Sequence, residues 1–197
     1  MRGSIRILPY EETIEKLALE EKSNGWLGWC EDNKFFQYPV IEWIEVVAET
    51  IKKTGSKQNL EIASGNGLIG RALNETGIPI ILSDVIKDEF TENLDAEKAL
   101  KKYNPDLVFT CWVPFDSEID LLILSYPSVS WYLTVIQSAP GYVGNELIWN
   151  QPGWDFQEIE SANKYSVSRS DFLTNVDHGK HIIHGKTFLF TRITEVD

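Results

Sequence analysis

Between Pro39 and Gly55, apolar residues return every three or four positions: Val40, Trp43, Ile44, Val47, Ala48 and Ile51. Glu42, Glu45 and Glu49 fall on the other side, so the stretch predicts an amphipathic helix. Pro39 suits its first position and Gly55 its end. Upstream, Glu11 to Lys22 is rich in helix formers, with Ile14, Leu17 and Ala18 on one stripe. Between the two helices the pattern breaks. Ser23 to Tyr38 predicts a loop crowded with aromatics: Trp26, Trp29, Phe35, Phe36 and Tyr38.

After Gly55 the period changes. Asn59 to Ala63 reads as a short buried strand, Ser64 to Gly67 as a tight loop, and Leu68 to Glu75 as a helix stopped by Gly77. Ile78 to Leu82 is a second strand, ending beside Ser83 and Asp84. A turn, a very short strand near Glu92 to Leu94 and a helix over Asp95 to Tyr103 follow. Leu107 to Trp112, Gly141 to Val143 and Thr187 to Thr191 read as further strands. Such alternation predicts a three-layer α/β/α sandwich with a mostly parallel sheet and an antiparallel C-terminal strand. No repeat or linker interrupts it, so residues 1–197 are expected to form a single domain, with 1–38 as an N-terminal helix and aromatic loop.

Charge narrows the partners. The chain of 197 residues carries 30 acidic and 18 basic side chains, a formal net charge of −12. Such a surface repels phosphate backbones and anionic lipid, which disfavours nucleic-acid and membrane-surface roles. The two cysteines, Cys30 and Cys111, are far apart, which excludes a disulfide framework or a zinc ribbon. No apolar run approaches the roughly 20 residues that span a bilayer. The N-terminus has no signal-peptide core, so a cytoplasmic location is expected.

The segment Glu61-Ile62-Ala63-Ser64-Gly65-Asn66-Gly67-Leu68-Ile69-Gly70 carries the chemistry. Gly65 and Gly67 stand where a strand turns sharply into a helix, which lets a ligand approach the backbone without meeting a Cβ. The helix start offers free N–H groups to that ligand. Asp84, at the tip of the next strand, is placed for hydrogen bonds from both hydroxyls of a ribose. Alternatives stay open at each point. Glycine loops join strands to helices without any ligand, Asp84 suits a turn, and Asp95 is a preferred helix cap.

With Glu61 in the strand, Glu-x-Ala-x-Gly-x-Gly resembles the first motif of the class I S-adenosylmethionine-dependent methyltransferases, a Rossmann-like superfamily. Ala63 stands where that family usually has its first glycine. Asn93 to Leu100 resembles the segment after the family's third strand, with Asp95 and Ala96 at the adenine-contacting positions. Pro105 to Phe115 resembles the fourth strand and its loop. There Trp112-Val113-Pro114-Phe115 stands for Asn/Asp/Ser-Pro-Pro-Tyr/Phe, keeping the proline–aromatic half and losing the polar residue that serves nitrogen methylation. The resemblance implies cofactor contacts at Glu61, Ala63, Ser64, Gly65, Gly67, Asp84, Asp95, Ala96 and Cys111. It also implies an acceptor side shaped by Trp112, Pro114 and Phe115.

Other features are weighed alongside. His178, His181 and His184 recur three apart, but Gly179 and Gly185 disfavour a helix there, so a solvated hairpin is expected rather than a metal site, with a base role open. The aromatic loop would roof the cleft as a lid, or pack as an apolar patch on the sheet edge. Cys111 lacks the sequence context of a thiol nucleophile. The reading is an S-adenosylmethionine-dependent methyltransferase acting on a small-molecule or protein acceptor. Two rivals remain: a catalytically inactive binding or interaction module on the same fold, and an NAD-dependent oxidoreductase suggested by Gly65-x-Gly67-x-x-Gly70.

Overall fold

The computed structural model describes residues 7–23, 26–33, 35–137, 144–169 and 185–193. Helices α1 (Tyr10–Ser23), α2 (Trp26–Asn33) and α3 (Ile41–Thr54) come first. Strands and helices then alternate: β1 (Asn59–Ile62), α4 (Leu68–Glu75), β2 (Ile80–Asp84), β3 (Glu92–Asn93), α5 (Ala96–Tyr103), β4 (Leu107–Cys111) and α6 (Ile119–Ser125). The rest is β5 (Trp131–Gln137), a 3₁₀ turn (Glu146–Asn150), β6 (Trp154–Glu158), α7 (Glu160–Asn163) and β7 (Gly185–Arg192).

The seven strands lie in the order β3-β2-β1-β4-β5-β7-β6. Strand β7 runs antiparallel to both β5 and β6, whereas β1 to β5 are mutually parallel. Strand alternation divides the core. Leu107, Phe109, Leu133 and Val135 point to one face, where they meet Trp43, Val47 and Ile51 of α3 and Leu68, Ile69, Ala72 and Leu73 of α4. Leu60, Ile62, Val108, Tyr132 and Ile136 point to the other face, against Ala99 and Leu100 of α5 and Ile123 and Leu124 of α6. Both faces are covered, which is why the central strands read as near-continuous apolar runs. This is the three-layer sandwich expected, with the antiparallel strand at its C-terminal end.

Several elements differ from expectation. The aromatic stretch holds a helix, α2, between residues expected to form loop only. Val40, not Pro39, precedes the first helical residue of α3; its backbone is extended, and Gly55 closes the helix in the left-handed conformation. Strand β2 starts and ends two residues later than the apolar run suggests, because parallel pairing with β1 sets Asn59 against Ile80. The sequence reading passed over α6, β5, the 3₁₀ turn, β6 and α7. The strand expected over Gly141–Val143 and the histidines 178, 181 and 184 lie outside the described residues.

Candidate functional site

The strand order reverses at β1, which has β2 on one side and β4 on the other. Loops leaving the carboxyl ends of β1 and β4 therefore depart toward opposite faces and open a crevice between them. The β1 loop supplies one wall. Ser64 N–H and Oγ both donate to the Ser83 carbonyl at 3.1 Å, and Gly67 N–H donates to the Ser64 carbonyl at 2.8 Å. The Asp84 carboxylate joins the two strand tips: Oδ2 accepts from Gly65 N–H and Oδ1 from Ile86 N–H, both at 2.8 Å. Each oxygen retains a lone pair for a further donor.

Gly65 and Gly67 have φ of 58° and 69°. A Cβ on Gly65 would meet nothing within 4 Å, leaving open space above the loop, whereas one on Gly67 would lie 2.9 Å from Leu82. Ala63 also has a positive φ, 57°. At this φ alanine is not a neutral stand-in for glycine. The residue carries left-handed strain of about 1 kcal/mol that glycine would not.

Glu61 points from β1 toward α4, which crosses so closely that a Cβ on Gly70 would fall 2.2 Å from Glu61 Oε2 and 2.0 Å from Leu82 Cδ2. The carboxyl is 1% exposed and its Oε2 has no hydrogen-bond partner among the described residues. Burial pushes its pKa up to about 8; the Gly70 backbone N–H pulls it down and the Asp84 charge raises it further. Cys111, at the tip of β4, is its neighbour; burial and then the Glu61 charge push the thiol well above its ordinary value. A thiolate nucleophile is disfavoured in that setting.

Asp95 caps α5, accepting from Lys98 N–H at 2.8 Å and from Lys98 Nζ at 2.6 Å. These two bonds hold its carboxyl below the ordinary range. Ala96 beside it is buried. Trp112 follows β4 with φ 59° and its indole buried: Nε1–H donates to Gln37 Oε1 at 3.3 Å, and Gln37 Nε2 donates to Ser166 Oγ at 3.1 Å. The Phe36 ring lies 6.3 Å from the Trp112 ring, and the Arg169 guanidinium stands 4.4 Å over Phe36. Pro114 and Phe115 are exposed. The structure thus brings Glu61, the 63–67 loop, Asp84 and Cys111 together around one crevice. Trp112 is turned instead into a cap made by residues 35–38 and 166–169.

Sequence reasoning missed Gln37, Thr91, Asp120 and Tyr132. Thr91, whose Oγ1 is buried without a partner, places Cγ2 beside Gly67. Asp120 is fully buried; it accepts from the Tyr132 hydroxyl and, at 2.9 Å, from Asn145 N–H, while Tyr132 reaches Thr110 Oγ1 at 2.7 Å. Burial raises the Asp120 pKa, and the two donors offset part of that rise. A signal existed: Asp120 is an acid set in the apolar run Ile119 to Leu124.

S-adenosylmethionine presents ribose hydroxyls, an adenine, a sulfonium and an amino-acid end. Asp84 keeps lone pairs that could accept from ribose hydroxyls, and the open space over Gly65 leaves room for the sugar beside the backbone. The residues fit the group.

No family model matches the chain, and no curated protein does. Solved structures do. A Staphylococcus aureus protein described as a caffeoyl-CoA O-methyltransferase superposes with a TM-score of 0.50 at 12% identity, covering 92% of this chain and 98% of its own. Plantazolicin methyltransferase, solved with S-adenosylhomocysteine, gives 0.45 at 11% identity over 93% of this chain and 99% of its own. An Archaeoglobus fulgidus S-adenosylmethionine-dependent methyltransferase gives 0.43 at 14% over 77% and 94%. With the strand order and the reversed β7, the chain has the fold seen in class I S-adenosylmethionine-dependent methyltransferases.

Proposed function

We propose that the protein binds S-adenosylmethionine in the β1/β2/β4 crevice and transfers its methyl group to a small-molecule or protein acceptor. One observation carries the reading: Asp84 ties the tip of β2 to the Gly65 N–H of the β1 loop, so the ribose-binding acid and the bend are a single unit. Held there, S-adenosylmethionine would supply an electrophilic methyl carbon for an acceptor lone pair, with the thioether as leaving group. The chain's own work is positioning. Asp84 orients the ribose, the 63–67 loop fixes the backbone beside it, and Asp95 with Ala96 borders the adenine side. Catalysis of this kind gains from holding reacting atoms in line and from excluding water, not from proton transfer. Phe115 and Pro114 border the acceptor, and Phe36 with Gln37 closes the neighbouring wall as part of an N-terminal cover.

The net charge of −12 favours a neutral or cationic acceptor over nucleic acid. No helix among the described residues is long and apolar enough to cross a membrane. A second reading, a cofactor-binding module without transferase activity, draws on Trp112: its indole N–H is spent on Gln37 where a polar acceptor-binding residue would stand. The dinucleotide reading is disfavoured, since the chain continues after β5 into an antiparallel β6/β7 pair rather than a second mononucleotide half.

Calorimetry tests the proposal. Saturable binding of S-adenosylmethionine and S-adenosylhomocysteine, in preference to NADH, is the expected result. A folded protein giving no heat with either at millimolar concentration overturns it. Binding without methyl transfer to a broad set of extracted acceptors favours the module.

A further inference from the structure

Glu61 stands apart from the other acids of the crevice. Each Asp84 oxygen already accepts one backbone N–H, and each Asp95 oxygen accepts from Lys98. The Glu61 carboxyl is sealed under the loop, and its Oε2 has no partner among the described residues. The groups facing it carry no positive charge: Asp84 from β2, Cys111 from β4 and the Gly70 N–H from α4. Arg71, the cation nearest in sequence on α4, is turned away; its Nε donates to the Gly67 carbonyl and its guanidinium lies 3.9 Å over the Phe90 ring. A buried acid so placed has no counter-charge of its own, and isolated charge in such a site is avoided by keeping the proton.

We propose that Glu61 discriminates the sulfonium cofactor from its thioether product by giving up this proton when the cation arrives at the 63–67 loop. The inference rests on the reading of the crevice given above. In the free protein near neutral pH, burial without a counter-charge favours the protonated carboxyl, its pKa raised to about 8. A positive charge brought to the adjacent loop favours the carboxylate, so the O–H bond of Glu61 breaks and the proton passes to buffer. S-adenosylhomocysteine lacks the sulfonium charge and drives this ionisation less. Binding of S-adenosylmethionine therefore strengthens as pH rises from about 6 to 8, relative to the product, and product inhibition eases over the same range.

The test titrates S-adenosylmethionine and S-adenosylhomocysteine into the full chain at pH 7, in buffers of different ionisation enthalpy. The slope of heat against buffer enthalpy counts protons, and the same titrations of Glu61→Gln separate the carboxyl's share from that of the ligands' amines, which the sulfonium makes unequal. The expected result is release of about half a proton or more with S-adenosylmethionine, at least ~0.3 above the homocysteine. Glu61→Gln should abolish that excess. Equal counts in the wild type, or an excess that survives Glu61→Gln, overturn the inference while leaving cofactor binding standing. If neither ligand binds, the reading of the crevice falls and takes the inference with it. Should Glu61→Gln not fold, the wild-type affinity ratio decides: it should shift toward S-adenosylmethionine at least about threefold between pH 6 and 8, and a flat ratio refutes.

Discussion

Replacing Asp84 by alanine removes the group that joins the two strand tips, and its cost should appear in two separable measurements. In the free protein, Gly65 N–H and Ile86 N–H each lose a charged acceptor at 2.8 Å. Hydrogen bonds to charged groups are worth about 1.5–3 kcal/mol, but both amides sit near the surface, where water replaces much of that. A net loss of about 2 kcal/mol is expected, which for a chain of this size lowers Tm by roughly 4–8 °C in differential scanning fluorimetry. The ribose hydroxyls then lose their acceptor as well, weakening S-adenosylmethionine by a further ~1.5–3 kcal/mol, or about 10- to 150-fold in Kd by calorimetry. Asp84→Asn should fall between, because its one carbonyl oxygen serves only one of the two amides. A folded Asp84→Ala protein with unchanged Kd would refute the ribose role, and an unchanged Tm would refute the loop-tethering role.

Three further outcomes follow from the geometry. Gly70→Ala drives a methyl to within 2.2 Å of Glu61 Oε2 and 2.0 Å of Leu82 Cδ2, so overpacking should cost about 1–3 kcal/mol, read as a lowered urea midpoint; an unaffected midpoint would show that α4 is not so tightly seated. Folding takes up a proton at Glu61, whose pKa rises from 4.5 to about 8, so stability is greatest in mild acid and falls as pH rises through that window. The full effect is bounded by roughly 4–5 kcal/mol, and Glu61→Gln should flatten the decline between pH 6 and 8 by at least ~1 kcal/mol in denaturant titrations. Gln37→Ala strands the Trp112 indole N–H and Ser166 Oγ in a buried setting, at about 1–3 kcal/mol; native-state hydrogen exchange should quicken around residues 112 and 166–168, and unchanged protection would deny the cap.

Local chemistry, read from the residues in order, determined most of the half that carries the glycine bend and Asp84. The stripe Val40 to Ile51, the bend Ser64 to Gly67, the short strand at Glu92 and the cap at Asp95 are set by periodicity, glycine conformation and capping, which act over a few residues and leave their mark on adjacent positions. Asp84 was legible for the same reason, as a polar residue ending an apolar run. The C-terminal half was not. Strand β6 owes its existence to pairing with β7 across the α7 segment, and such non-local pairing has no sequence period of its own. Ala63 illustrates the limit most plainly: composition allows alanine at negative φ, yet the path from β1 into α4 forces φ 57°, because α4 must lie within touching distance of Leu82. The buried pairs Trp112–Gln37 and Asp120–Tyr132 join residues 75 and 12 positions apart. Only the packing of layers brings them into reach, and only the exclusion of water makes a proton on Glu61 cheaper to keep than to lose.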